Sequence, residues 1–122
     1  MRKILFRGKL KSNDEWSFGN LNVSLRAIVI ITPDETPIGK YGQVIPETVG
    51  QYIDLTDKNG KKIFEGDIVK YRNSSPCKIA YIDSQFVMMW KNFYRNFERV
   101  YDDEIEVIGN IYDNPELLEV EK

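Results

Sequence analysis

The sequence predicts a mainly β fold, a small barrel-like domain (SH3-like or related) of about seven short strands with one or two short helical turns. Three observations predict it. Several short segments alternate between apolar and polar residues, which is the two-residue period of a strand. Glycine, proline, asparagine and aspartate recur between those segments, as is typical of turns. Only one segment, residues 92–101, has an apolar spacing that also suits a helix.

The first third of the chain predicts a hairpin followed by a buried strand. Residues 2–10 and 15–21 both alternate in polarity, and the run Ser-Asn-Asp at 12–14 has the composition of the turn between them. Residues 27–31 are short and rich in β-branched side chains, as expected of a buried strand. The prolines and glycines of residues 32–42 predict a loop.

Residues 56–71, TDKNGKKIFEGDIVKY, predict a hairpin. Asn59-Gly60 is the preferred dipeptide of a two-residue type I′ turn, because both positions of that turn need positive φ. Gly66 interrupts the following apolar run, and Asp67 has a side chain able to accept hydrogen bonds from backbone amides in a turn. The alternation places Ile63, Ile68 and Val69 towards the core.

The same stretch carries part of a calcium-loop pattern. With Gly60 as the sixth position, Asp57 and Asn59 fall at the third and fifth positions, where oxygen ligands belong. The first position is Leu55, however, and the twelfth is Gly66, so the first ligand and the bidentate glutamate are missing. The hairpin therefore explains more of the residues than a metal site does.

The segments on either side of this stretch predict a strand before it and a second hairpin after it. Residues 49–55 alternate in polarity, and residues 78–83 and 86–90 are strand-like segments on either side of Ser84-Gln85. Residues 92–101 fit either element, because aromatic side chains suit strands but also recur there every four residues.

The C-terminal segments predict a strand and a helical turn. Residues 105–112 form the strand, with Gly109 as a bulge. Asn114 has the chemistry of an N-cap and Pro115 that of a first helical residue, so a helical turn begins there.

The composition excludes several classes of function. A chain of 122 residues with 42% apolar residues has enough material for one domain, residues 1–122, without disulfides or metal. It has no histidine and one cysteine, Cys77, so Cys/His zinc sites and Ser–His or Cys–His catalysis are excluded. We therefore predict no catalytic residues, no metal-binding residues and no cofactor. The absence of an apolar leader or a membrane-length apolar run predicts a cytoplasmic protein.

Charge is distributed unevenly, although the net charge is only −2. Residues 1–26 hold six basic and two acidic residues, a balance of +4, whereas residues 98–122 hold two basic and nine acidic residues, a balance of −7. Ends of opposite charge attract each other within a chain or between chains.

Two further functions fit the residue types. A nucleic-acid surface on the sheet would use cations and aromatic side chains beside them, although a pI near 5.2 disfavours it. Its candidate contacts are Arg2, Lys3, Arg7, Trp16, Lys61 and Lys62, with Phe18 and Tyr52 as further aromatic residues. A metal-dependent hydrolase would use clustered carboxylates. Its candidates are Asp54, Asp57, Glu65, Asp67 and residues 102–106.

Five blocks resemble the YopX family of small proteins encoded mostly by bacteriophages and prophages. They are MRKILFRGK, EWSFGNL, IPETVGQY, DKNGKKIFEGDIVKY and IEVIGNIYDNPELLE, in the family's order. Ile53-Asp54 departs from the Thr-Gly usual in the family, and the insert-like regions 22–44 and 72–104 resemble nothing familiar. The resemblance implies a mostly β, barrel-like core, self-association and a role inside a bacterial host cell. It implies no activity, because the family has no assigned biochemical function.

Our leading prediction is a non-enzymatic interaction module that self-associates and binds an unknown protein partner. Head-to-tail contact between the unlike ends could close a ring. The alternatives are a weak nucleic-acid-binding barrel and the carboxylate hydrolase.

Overall fold

The computed structural model describes residues 5–23, 28–32 and 40–119, and it confirms the mainly β class. The described residues form eleven strands: β1 Phe6–Lys9, β2 Trp16–Val23, β3 Ile28–Thr32, β4 Lys40–Gln43, β5 Gly50–Thr56, β6 Lys62–Phe64, β7 Asp67–Tyr71, β8 Cys77–Ile82, β9 Gln85–Met89, β10 Tyr94–Asn96 and β11 Ile105–Asn110. They also form three short 3₁₀ helices: η1 Pro46–Thr48, η2 Asp102–Glu104 and η3 Pro115–Glu119.

The chain divides into two compact units, residues 1–52 and 53–122. The first unit holds β1 to β4, η1 and the start of β5, and its strands lie in the order β4-β3-β2-β1-β5. The second unit holds the rest of β5, its neighbour β6, and a five-stranded sheet in the order β10-β9-β8-β7-β11.

Both sheets are open and antiparallel, and the described strands form no closed barrel. The expectation of about seven strands is also corrected. Gly66 adopts φ +94 and turns the chain, which divides the run after Asn59-Gly60 into β6 and β7, as its predicted interruption of the run implies. The predicted loop at 32–42 contains β4, whose strand pairing with β3 overrides its glycine content. The rest of that loop, 33–39, lies outside the described residues.

The two insert-like regions supply outer strands. Region 22–44 contains β3 and β4, which extend the first sheet beyond β2. Region 72–104 contains β8, β9 and β10, which extend the second sheet beyond β7. In each sheet the insert strands extend one side, and a family-like strand, β6 or β11, forms the opposite edge.

The core of the second unit lies on one face of its sheet. Directly opposed residues on neighbouring strands share a face, and the pairs Ile79–Met88, Val69–Cys77 and Tyr71–Ile105 do so here. These six side chains form one buried cluster with Ile53 and Ile63. Each aliphatic member contributes about 1.5–3 kcal/mol by leaving water.

The first unit is built on the predicted N-terminal hairpin. Strand β1 pairs with β2 from Phe6 opposite Gly19 to Lys9 opposite Trp16. Between them, the backbone N–H of Asp14 donates to the Leu10 carbonyl at 2.9 Å.

Four local predictions meet different outcomes. The bulge near Gly109 is present, because the register of β11 against β7 shifts between Val107 and Gly109. The helical turn from Pro115 is present as η3. The segment 92–101, which fitted either a helix or a strand, contains the strand β10 at residues 94–96. Residues 97–101 form no helix. The turn predicted at Ser84-Gln85 lies one residue earlier, since Gln85 pairs with Ile82.

Candidate functional site

The turn at 57–61 is organised by the carboxylate of Asp57. Its Oδ1 accepts hydrogen bonds from the backbone N–H groups of Asn59 and Lys61, both at 2.9 Å, and its Oδ2 accepts one from Val107 at 2.9 Å. The side chain is 3% exposed. Burial alone would raise the pKa of Asp57, but these three hydrogen bonds outweigh it and lower the pKa.

The turn is not the predicted type I′. Gly60 has φ +80, but Asn59 does not have the positive φ that a type I′ turn requires. The backbone N–H of Gly60 donates to the Asp57 carbonyl at 2.9 Å, and the Asp57 N–H donates to the Lys61 carbonyl at 2.8 Å. This is a three-residue hairpin connection in which only the glycine is left-handed. Both carboxylate oxygens of Asp57 accept hydrogen bonds from backbone N–H groups. Asp57, the third position of the calcium-like pattern, therefore has a structural role in the turn.

Gly66 and Asp67 form the second turn of this stretch. Asp67 is 2% exposed, and its Oδ2 accepts a hydrogen bond from the backbone N–H of Phe64 at 2.8 Å, as predicted for a turn aspartate. The Gly66 N–H donates to the Ile79 carbonyl at 2.9 Å, and the Ile111 N–H donates to the Gly66 carbonyl at 2.9 Å. The turn is therefore tied into the second unit.

The predicted N-terminal nucleic-acid surface is corrected at two positions. Arg7 is buried, 6% exposed, with its guanidinium carbon 4.6 Å from the ring centroid of Trp16. A cation held against an indole inside the fold is not available to a phosphate backbone. Tyr52 is also buried, at 8% exposed, and cannot stack on a base.

The remaining predicted contacts have different positions. Arg2 and Lys3 lie outside the described residues. Lys61 and Lys62 are exposed and belong to the second unit. Of the predicted aromatic residues, Phe18 is exposed on β2 at 45%.

The predicted carboxylate cluster does not assemble. Among the described residues, no three acidic or thiol side chains lie together as metal ligands. Asp57 and Asp67 accept hydrogen bonds from backbone amides, and Asp54 is exposed on β5. Carboxylate-based metal hydrolysis therefore loses its geometric basis in this part of the chain.

Three acidic residues from the last part of that set, Asp103, Glu104 and Glu106, line a shallow polar cavity. Its volume is about 210 Å³, and it is lined by Lys58, Lys70, Arg72, Asp103, Glu104, Ile105 and Glu106. Arg72 donates from Nε and Nη2 to Oε2 of Glu104, the former at 2.9 Å. The hydrogen bond from Arg72 holds the pKa of Glu104 below its usual value. Lys58 lies 3.7 Å from Glu106, so ion pairing neutralises much of this cavity.

An aromatic surface on the second unit was not predicted. Phe93, 62% exposed, stacks on Trp90 with ring centroids 4.9 Å apart and an interplanar angle of 11°. The guanidinium carbon of Arg95 lies 5.4 Å from the ring centroid of Tyr71, which is 6.5 Å from that of Trp90. Tyr81 on β8 and Tyr94 on β10 are also exposed, on the two strands that flank β9.

One signal in the sequence could have identified this surface. Trp90 and Phe93 flank a two-residue connection, Lys91-Asn92, so a hairpin places them opposite each other. The four-residue spacing of aromatic residues at 93–101 is also typical of a helix, and a helix would not place Trp90 and Phe93 opposite each other.

These features define a mainly β protein of two open antiparallel sheets, with an exposed aromatic and cationic surface on its second unit. The chain belongs to the YopX family: the family described as YopX protein matches residues 5–119, nearly the whole sequence. This confirms the resemblance carried by the five sequence blocks.

A solved structure supports the same relationship. The chain is similar to protein EF1440 from Enterococcus faecalis, with 30% sequence identity and a TM-score of 0.66. The similarity covers 97% of this chain and 99% of that one. The search of curated proteins finds no match. Among the described residues, none of the helices is long and apolar enough to cross a membrane.

Proposed function

We propose that this YopX-family protein is a non-enzymatic interaction module that self-associates through charge. Carboxylates of its C-terminal quarter contact the basic N-terminal segment of a second copy. Such head-to-tail contacts are heterologous, so they close into a ring if the rotation between copies permits.

The observation that supports the proposal is a set of exposed acidic side chains with no ion pair among the described residues. They are Glu98, Asp102, Asp103, Glu116 and Glu119. By contrast, Glu104 and Glu106 already pair with cations of their own unit. Exposed charges of one sign attract a complementary surface over roughly the 10 Å Debye length of 0.1 M salt.

The biological setting follows from the family resemblance. We propose that the protein is an accessory protein of a phage or prophage and acts in the cytoplasm of the bacterial host. A pull-down from an induced host, followed by mass spectrometry, would identify the protein partner. Recovery of the chain alone, without a co-purifying host or phage protein, would contradict a partner beyond the second copy.

The test of self-association is light scattering at low and high salt. We expect a mass above the 14.3 kDa of one chain at low salt and a smaller mass at high salt. The double variant Asp102→Asn/Asp103→Asn should dissociate at lower salt than the wild type, because it removes two of the exposed carboxylates.

The matched control is Glu47→Gln/Asp54→Asn, which removes two exposed carboxylates that lie outside both charged ends. It should leave the salt dependence unchanged. A strict monomer at both salt concentrations would overturn the proposal, as would an equal effect of the two double variants.

A further inference from the structure

We propose that Trp90, Phe93 and Arg95 form a platform that binds single-stranded nucleic acid. On this aromatic platform a base stacks on the outer face of Phe93, and Arg95 and Lys91 contact the neighbouring phosphates. This site is separate from the charge contacts proposed above, and it lies outside the N-terminal hairpin.

The geometry of the hairpin between β9 and β10 creates the stack. The backbone N–H of Trp90 donates to the Phe93 carbonyl at 2.9 Å, and Met89 pairs with Tyr94. Trp90 and Phe93 are therefore directly opposite each other at the end of the hairpin, where side chains meet on one face. Arg95, two residues after Phe93, falls on the same face.

The inner ring of the stack is held in place. The indole Nε1 of Trp90 donates to the Ser75 carbonyl at 2.9 Å, and the Tyr71 ring packs at 6.5 Å on the core side. One face of Phe93 rests on this fixed indole, and 62% of the residue remains exposed. A fixed stack with an open outer face can accept a further ring without first being ordered.

The charge around the stack favours an anionic ligand. Residues 70–99 hold six basic and two acidic residues, a local balance of +4 in a chain of net charge −2. Arg72 is neutralised by Glu104, but Lys91 and Arg95 are exposed and have no ion pair among the described residues. The platform therefore combines an aromatic face with two adjacent cations, Lys91 and Arg95, although the nearby Glu104 carboxylate offsets part of the Arg95 charge.

This combination favours nucleic acid over a protein partner. Single-stranded nucleic acids bind through aromatic side chains that stack on bases and cations that follow the phosphates. The near-parallel 11° stack presents a flat ring of the kind a base covers. A duplex, whose bases are already stacked on each other, lacks the free base face that this surface takes.

The experiment uses the full chain in a Trp16→Phe background, which leaves Trp90 as the single tryptophan. Its fluorescence is followed during titration with an oligothymidylate, and anisotropy of the labelled oligonucleotide is measured in parallel at several salt concentrations. We expect quenching of Trp90 and an affinity that falls with salt.

Three variants separate stacking from general charge. Phe93→Leu should weaken binding by about five- to one-hundredfold, because the open ring is lost while its bulk stays. Arg95→Gln should weaken binding and lower the salt slope by about one. Phe18→Leu makes the same exchange at an exposed aromatic residue of the first unit and should leave the affinity unchanged.

The proposal is overturned if the oligonucleotide gives neither quenching nor anisotropy change at low salt. It is equally overturned if Phe93→Leu has no effect, or if Phe18→Leu weakens binding as much. Poly-glutamate is the competitor that tests an acidic protein partner. If it displaces the oligonucleotide at equal charge concentration, the surface recognises acidic polymers in general; failure to compete supports nucleic acid.

Discussion

Asp57 and Val107 are joined by a hydrogen bond of 2.9 Å, from the backbone N–H of Val107 to Oδ2 of Asp57, across 50 residues of sequence. The bond connects the β5–β6 turn to the strand β11, at the position where the bulge interrupts pairing with β7. The N–H of Val107 thus has an acceptor supplied by a turn. The Asp57 carboxylate is buried, so water cannot replace it as the acceptor of this N–H. The local turn and the strand β11 therefore stabilise each other within the second unit.

We expect substitutions at Asp57 to destabilise the protein in a graded way. Asp57→Ala leaves three backbone N–H groups without their acceptor and should cost about 3 kcal/mol or more. Asp57→Asn keeps one carbonyl oxygen and should cost about 1–2 kcal/mol. Urea unfolding measures both, and Asp54→Asn, an exposed carboxylate of the same strand region, should change stability by less than about 0.5 kcal/mol. Equal effects of Asp57→Ala and Asp54→Asn would contradict the role given to Asp57.

The lowered pKa of Asp57 predicts a loss of stability in acid. A carboxyl group whose pKa is lower in the folded state stabilises the fold above its unfolded pKa of about 3.9. That contribution is lost as the pH falls through the lower folded value. Stability measured by urea unfolding should therefore decrease below about pH 4, and Asp57→Asn should reduce the slope there. A slope unchanged in the variant would assign the acid sensitivity to other carboxylates.

The region around Asp57 shows what sequence can and cannot predict. The turn at Asn59-Gly60 follows from local chemistry and was predicted, although its type was not. The bond to Val107 joins residues 50 positions apart, and no local pattern reports such a contact. The same limit applies to Arg7: its charge predicts exposure, but packing against Trp16 buries it.

The aromatic platform was missed for a related reason. Aromatic residues occur both in helices, with a period of about 3.6 residues, and in strands, with a period of about two. The spacing from Phe93 to Tyr101 therefore did not distinguish a helix from a strand. The pairing of β9 with β10 decided it, and that pairing also created the Trp90–Phe93 stack. The mainly β class, the bulge at Gly109 and the turn at Pro115 depended on local residue chemistry, which is why the sequence predicted them.

Gly109 should be intolerant of a side chain because η3 packs against it. A Cβ at this position would lie 2.6 Å from Oδ1 of Asn114 and 2.9 Å from Cδ1 of Leu117. The same Oδ1 accepts the hydrogen bond from the Asn110 N–H at 3.2 Å, so moving Asn114 away would weaken it. We expect Gly109→Ala to cost about 1–3 kcal/mol in urea unfolding.

Gly60→Asn is the control for that substitution. Gly60 has φ +80 and no atom within 4 Å of an added Cβ, and asparagine tolerates the left-handed region better than most residues. Its cost should stay below about 1 kcal/mol, less than the penalty of most residues in the left-handed region. If Gly109→Ala costs no more than Gly60→Asn, the close contact of Gly109 with Asn114 and Leu117 does not limit the side chain at that position.

Cys77 should be unreactive until the second unit opens. The Cys77 thiol is fully buried in the core cluster, where Val69 lies opposite it on the neighbouring strand. This burial raises the pKa of the thiol to about 12. At pH 8 only about one thiol in ten thousand is then a thiolate, the form that attacks disulfide reagents. Labelling with an aromatic disulfide reagent should therefore be slow in the native protein and fast in urea.

Ile79→Ala, which removes packing beside Cys77, should accelerate native labelling, whereas Tyr81→Ala at the exposed end of the same strand should have a much smaller effect. Native labelling as fast as that of the unfolded chain would contradict the buried position of this thiol.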